Sequence, residues 1–282
     1  MINSIVQNDI AQSFSQAAKS YDQSAFFQRI AGERLMERLD YFKLTPKHIL
    51  DLGCGTGYFS RQLTKRYPDA QVTGVDFAQG MVQWCQQQSQ SETYLCADAC
   101  QLPFESNSVD LIFSNLTFQW IEDLPQLFHE LNRVIKPNGL LLFTTLGPDT
   151  LYELKQSWAA VDDYKHVNNF LDMHHVGDAM LSAKMLDPVV DSEPVVIGYQ
   201  RVTELMRDLK NIGAHNLDQK RKSGLTSPRQ LKQLEQHYQQ FKLEDGQLPA
   251  TYELVYGHAF ATEHQAASGY HEYLLDLIEQ QA

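Results

Sequence analysis

Ile49-Leu50-Asp51-Leu52-Gly53-Cys54-Gly55-Thr56-Gly57 decides how this chain folds: an apolar strand runs into a turn with glycine at every second position. Glycine tolerates left-handed backbone and carries no Cβ, so the amides of such a turn can approach a small charged ligand closely. The spacing G-x-G-x-G differs from the G-x-G-x-x-G of dinucleotide-binding loops, where a pyrophosphate sits on a helix N-terminus. A shorter loop suits a nucleotide-type ligand that ends in one carboxylate and needs no extended phosphate cradle.

Outward from this turn, short apolar runs alternate with helical patterns. Strands are expected over 48–52, 71–75, 93–96, 109–114 and 139–145, and helices over 57–66, 78–88 and 123–134, with Pro68, Pro103 and the stretch 137–139 marking boundaries. This rhythm predicts an α/β fold, a parallel sheet covered by helices on both faces with right-handed crossovers. Asp76, 25 residues after Asp51, closes the second strand, where a carboxylate can accept both hydroxyls of a ribose. Asp98 closes the third, placed to accept from an adenine amino group. Either acid alone reads equally well as a helix cap or turn residue. The turn and both acids in this order converge on one crevice at the carboxyl ends of the strands.

The flanks read differently. Phe14, Ala17, Ala18, Tyr21, Leu35, Met36 and Leu39 have helical spacing, which gives an N-terminal helical lid over 1–43 ahead of a cofactor-binding core over 44–147. After Gly147 come helices near 149–164 and 176–183, strands near 193–200 and 251–257, and a helical insertion between them. Substrate-side helices and the last strands thus occupy 148–282, and one domain accounts for the whole chain.

Composition excludes several functions. The 282 residues carry a formal net charge of −12, which argues against nucleic acid as a partner. The N-terminus has no basic segment ahead of an apolar core and no apolar run reaches spanning length, so no membrane association and a cytoplasmic location are expected. Cys54, Cys85, Cys96 and Cys100 form no C-x-x-C pair and read as reduced thiols. His166, His174, His175 and Asp172 invite a metal reading, but hydrogen bonds ordering a substrate mouth suit them better. Locally the charge reverses: residues 201–232 hold eight basic groups against three acidic ones, a surface for an acidic partner or simply a solvated face.

Taken together, Asp51 to Gly57, Asp76, Ala97-Asp98-Ala99 and the turn Lys136-Pro137-Asn138-Gly139 resemble the class I S-adenosylmethionine-dependent methyltransferases over residues 45–147. A narrower resemblance runs along most of the chain. Phe14 to Asp22, Ser114 to Trp120, Phe143 to Leu151, His166-Val167-Asn168 with Asp172-Met173-His174, and Leu205 to Lys210 are similar to the malonyl-acyl carrier protein O-methyltransferases of biotin synthesis.

The resemblance implies a Rossmann-like, mostly parallel seven-stranded sheet with a helical lid insertion, and S-adenosyl-L-methionine as cofactor. It places Tyr21, Asp51, Gly53, Gly55, Gly57, Asp76, Met81, Asp98, Ala99 and Asn115 at the cofactor. Tyr21, Trp120, His174, Arg201, Arg207 and Lys210 fall at the substrate, with Arg201 or Arg207 clamping the malonyl carboxylate bidentately. Lys210, Lys220, Arg221 and Lys222 are the docking candidates for malonyl-acyl carrier protein within the basic stretch 201–232. The implied reaction needs no general base, because the carboxylate is already ionised at neutral pH. A methyltransferase acting on a free small dicarboxylic acid such as trans-aconitate is the alternative; a non-catalytic cofactor-binding protein and a nicotinamide dehydrogenase are further readings, the last disfavoured by the glycine spacing.

Overall fold

The computed structural model describes residues 4–88, 91–214 and 226–262. Strands β1 (His48–Leu52), β2 (Gln71–Asp76), β3 (Thr93–Cys96), β4 (Val109–Asn115), β5 (Ile135–Leu146), β6 (Leu186–Tyr199) and β7 (Leu248–Phe260) form a seven-stranded sheet in the order β3-β2-β1-β4-β5-β7-β6. Strands β1 to β5 pair in parallel, and β7 runs antiparallel between β5 and β6. The chain leaves β1 toward β2 and β3, then returns to β4 on the other side. That reversal opens a crevice outside the carboxyl ends of β1 and β4, where ligands of open α/β sheets bind.

Side chains alternate across the sheet. Ile49, Leu111, Phe113 and Leu142 join one core cluster, while Leu50, Leu52, Ile112, Leu141 and Phe143 join the other. Central strands buried on both faces need apolar residues at successive positions, which is why His48–Leu52 reads as a nearly continuous apolar run. Helices α3 (Phe26–Arg38), α4 (Tyr58–Arg66), α7 (Tyr152–Ala159), α9 (Val202–Asn211) and α10 (Pro228–Tyr238) contribute to the first cluster. Helices α6 (Leu124–Val134) and α8 (Met173–Ser182) fill the second, and α5 (Gln79–Gln88) packs on β3.

The N-terminal segment comprises α1 (Ser4–Ala17), α2 (Tyr21–Ser24) and α3. Ser15 Oγ accepts from the Gly80 amide, holding α1 on α5, and Thr56 Oγ1 donates to Asp22 Oδ1 at 2.8 Å, tying α2 to the glycine turn. Ser13 Oγ and Ser20 Oγ donate to the carbonyls of Gly213 and Asn211, so the same segment also touches the end of α9.

Several boundaries depart from expectation. The turn at 136–139 lies inside β5, where the pairing jumps from Val109↔Ile135 to Leu111↔Leu140 and Asn138 takes φ 62°. Strand β6 starts at Leu186 instead of near 193: it is an edge strand, so Pro188 and Pro194 are tolerated and half its residues are exposed, which blurs the apolar signal. The helix expected over 149–164 is confined to Tyr152–Ala159, because Leu151 adopts φ 56° at its start and the chain after Ala160 leaves as a loop. Among the described residues, no helix is long and apolar enough to cross a membrane.

Candidate active site

The site grows from the turn after β1. Gly53, Gly55 and Gly57 all have positive φ, at 71°, 54° and 74°. A Cβ on Gly53 would lie 1.9 Å from Thr117 Oγ1, whereas one on Gly55 would meet nothing within 4 Å and point into open space. The amides of Gly53 and Cys54 donate to Val75 O, anchoring the turn on β2. Asp76, at the end of β2, accepts from the Gly55 amide through Oδ2 and from the Ala78 amide through Oδ1, both at 2.9 Å. Burial raises its pKa to about 6, against the opposing pull of those main-chain bonds.

Asp51 is 2% exposed. Burial pushes its pKa up to about 7; the Ser60 hydroxyl, 2.5 Å from Oδ2, opposes this and the Asp76 charge adds to it. Two desolvated carboxylates side by side ask for a partner with hydroxyls or positive charge. Tyr21 stands over them, and burial together with the Asp76 and Asp22 charges holds its phenol protonated well above the ordinary range.

Two cavities open here. The smaller, about 40 Å³, is lined by Asp51, Gly53, Gly55, Thr56, Arg29 and Asn115 among others. Two buried polar atoms on its walls have no partner: Gln28 Oε1 and Arg29 Nε. An orphaned acceptor and an orphaned guanidinium nitrogen beside a buried carboxylate match a zwitterionic amino-acid end, because unpaired buried polar groups are costly unless a ligand satisfies them. The larger cavity, about 180 Å³, is walled by Phe14, Phe27, Trp120, Trp158, Phe170 and Tyr252. Its polar lining includes Gln119, Thr150, His166 and Asn168, and among the described residues that line it there is no Lys, Arg, Asp or Glu. Tyr21 and Gln28 line both cavities.

The structure therefore brings Tyr21, Asp51, the three glycines, Asp76 and Asn115 together. Asn115 donates to Gln28 O and accepts from Thr144 Oγ1, which fixes its amide at the end of β4. Met81 is buried with Ala18 and Ala78 on the side of α5 that faces α1. Asp98 is exposed and accepts from the Cys100 amide within its own turn; Ala99 is buried beside it. Trp120 lines the larger cavity, edge-on to Phe14 at 5.2 Å.

Four expected substrate residues lie elsewhere. Arg201 caps α9 and pairs with Glu235 at 3.2 Å, its side chain 66% exposed. Arg207 and Lys210 are exposed. Helical phase explains this: Val202, Leu205, Met206 and Leu209 face the core and the cavity, which turns 207 and 210 to solvent. His174 sits on the first turn of α8 with its ring on Asp172 Oδ1, 80% exposed and outside both cavities. Lys220, Arg221 and Lys222 lie outside the described residues. Conversely, Gln28 and Arg29 carried no sequence signal, since a helix break at Ala25 separates them from Tyr21 and only tertiary contacts show their orphaned atoms. No group of three or more potential metal ligands is present among the described residues.

Comparison with known proteins agrees with this geometry. Residues 50–143 match the family profile described as a methyltransferase domain. The crystal structure of YcgJ from Bacillus subtilis, 19% identical, superposes with a TM-score of 0.57 over 81% of this chain and 98% of that one, a likeness of fold. Fold and site thus define an S-adenosylmethionine-dependent methyltransferase. The malonyl-[acyl-carrier protein] O-methyltransferase of Gallionella capsiferriformans is 46% identical over 258 residues, covering 88% of this chain and 89% of that protein. A biotin biosynthesis bifunctional protein of Saccharophagus degradans is 40% identical over 87% of this chain, which spans 45% of its length. The chain belongs to the malonyl-[acyl-carrier protein] O-methyltransferase family.

Proposed function

We propose that this protein esterifies the free carboxyl of a malonyl group carried on acyl carrier protein, an early step toward the pimeloyl chain of biotin, and that it works in the cytosol. The observation that carries the reading is the pairing of two cavities through Tyr21 and Gln28, one polar with the buried Asp51 carboxylate and one aromatic, with His166 but no Lys, Arg, Asp or Glu among the described residues that line it. In this reading Arg29 and Gln28 hold the amino-acid end of S-adenosylmethionine with Asp51, Asp76 takes the ribose, and Asp98 and Ala99 meet the adenine.

When bound, S-adenosylmethionine would supply an electrophilic methyl group on a sulfonium, with the neutral thioether as leaving group, a chemistry that asks no proton transfer of the protein. The chain's own task is alignment and dryness. A malonyl carboxylate with a pKa of about 4 is ionised at neutral pH, so no general base is required. Tyr21 lies where the cavities join and Trp120 and Phe14 wall the larger one, and their exclusion of water favours a near-attack geometry with about 3 Å between reacting atoms. Carrier docking falls to exposed Arg201, Arg207 and Lys210 at α9, whose Met206 and Leu209 line the larger cavity, and to exposed Arg229 and Lys232 on α10.

Incubating the protein with S-adenosylmethionine and malonyl carrier protein, with free malonate and trans-aconitate in parallel, tests the proposal by mass spectrometry. Gain of one methyl group on the carrier-bound acid is expected. Methylation of the free acids alone would replace the substrate assignment.

A further inference from the structure

A cavity that takes a malonyl end must meet its carboxylate, yet no lysine or arginine is found among the described residues lining it. Among the described residues that line it, one side chain can carry a positive charge: His166. Its ring lies flat on Trp158, centroids 3.8 Å apart and planes 7° from parallel. Its Nε2 is 2.7 Å from Asp162 Oδ1, and both side chains are only 13% exposed. Asp162 is itself held: Gln230 Nε2 donates to Oδ2 at 3.0 Å and the Tyr164 amide donates to Oδ1. The imidazole is thus fixed in plane and in orientation, with Nε2 engaged and Nδ1 bonded to none of the described residues.

From this geometry we infer that His166, backed by Asp162 and stacked on Trp158, is the residue that recognises the terminal carboxylate of the acyl substrate and makes the enzyme select acids over neutral acyl ends. The inference rests on the malonyl reading above and assigns its charge-recognition subsite. A carboxylate near Asp162 is tolerated because the His166 ring lies between the two negative groups and offers one nitrogen to each, so that one substrate oxygen is held at Nδ1 while the other stays free to attack. Methylation removes that negative charge. The ester then keeps at most a neutral hydrogen bond to His166, so product binds more weakly than substrate.

The test is a binding contrast that needs no turnover. With S-adenosylhomocysteine present, calorimetry measures malonyl-pantetheine against malonamoyl-pantetheine, a neutral amide of the same size, on the full chain. Wild type is expected to prefer the acid by about tenfold or more, the scale of one charge-assisted hydrogen bond. His166→Gln should erase that preference while leaving the amide's affinity within about twofold, and Asp162→Asn should erode it in the same sense. Equal affinities in wild type, or a preference that survives His166→Gln, would overturn the assignment. Equal losses on acid and amide would show a merely structural ring. Failure of the methyl-transfer reading shows separately, as absence of ester formation by wild type.

Discussion

Asp51→Asn should make the ligand-free protein more stable while crippling its site. Burial lifts the Asp51 carboxyl from 3.8 to about 7, so ionising it in the folded state at pH 8 costs roughly three pKa units, about 4 kcal/mol. The sign follows from linkage. A carboxyl whose folded value lies above its unfolded one favours folding fully below pH 3.8, and that contribution is lost as pH climbs through about 7. Asparagine removes the penalty but accepts the Ser60 hydroxyl less strongly than a carboxylate does, so about half should be recovered, roughly 2 kcal/mol or about 5 °C in melting temperature at pH 8. At pH 5 most of the gap should close, because the wild-type carboxyl is then largely protonated. S-adenosylhomocysteine should bind the variant about ten- to a hundredfold more weakly at pH 8, the ammonium having lost its anion. Differential scanning fluorimetry at both pH values, with calorimetry of the nucleoside, reads every arm. A stability gap that is absent, or that is the same at pH 5 and pH 8, would refute the claim that this carboxylate is held ionised at a cost to the fold.

Asp76→Ala should weaken S-adenosylhomocysteine and methylthioadenosine alike by more than about tenfold, since it removes both the ribose acceptor and the bond that places the Gly55 amide; unchanged calorimetric affinity would remove the ribose assignment. Arg29→Met should instead weaken S-adenosylhomocysteine about tenfold or more and leave methylthioadenosine, which lacks the amino-acid end, unaffected in the same titration. Gly53→Ala and Gly55→Ala should separate folding from binding. The first meets Thr117 at positive φ and should lose more than about 2 kcal/mol by chemical denaturation; the second meets only open space, costs about 1 to 2 kcal/mol for its φ, and obstructs the nucleoside.

What the sequence made legible is what short-range geometry controls. The strand at 48–52, the glycines behind it and Asp76 occupy adjacent strand ends, so alternation and turn chemistry place them correctly without any knowledge of the rest. The turn at 136–139 was read from its Pro-Asn-Gly content, yet its position inside β5 depends on pairing with β4 and on Asn138 donating its amide to Ala261, a partner more than 120 residues away in sequence. Arg201 and Arg207, expected as a clamp, lie outside the cavity for a different reason. Charge and motif identify a residue type, whereas the phase of α9, set by Val202, Leu205 and Leu209 against the core, decides which side chains see the cavity. Gln28 and Arg29 were invisible because their distinction is an absence of partners, which exists only once the surrounding chain is in place.

Placing an imidazole in the acyl cavity, and leaving guanidinium on the surface, follows from what each group costs when the cavity is empty. A buried guanidinium cannot shed its proton, and its desolvation must be offset in every state of the enzyme. The His166 imidazole is already held by the Asp162 carboxylate on its edge and by the Trp158 ring on its face. In the cofactor pocket, burial raises Asp51 to about 7 and Asp76 to about 6, so at neutral pH Asp51 is only partly ionised in the free site while Asp76 keeps most of its charge on main-chain donors. Each ligand then arrives with the charge that completes its pocket. The two pockets meet at Tyr21, whose own hydroxyl stays protonated beside them. A site built this way keeps its walls apolar enough to exclude water and still distinguishes an acid from its ester.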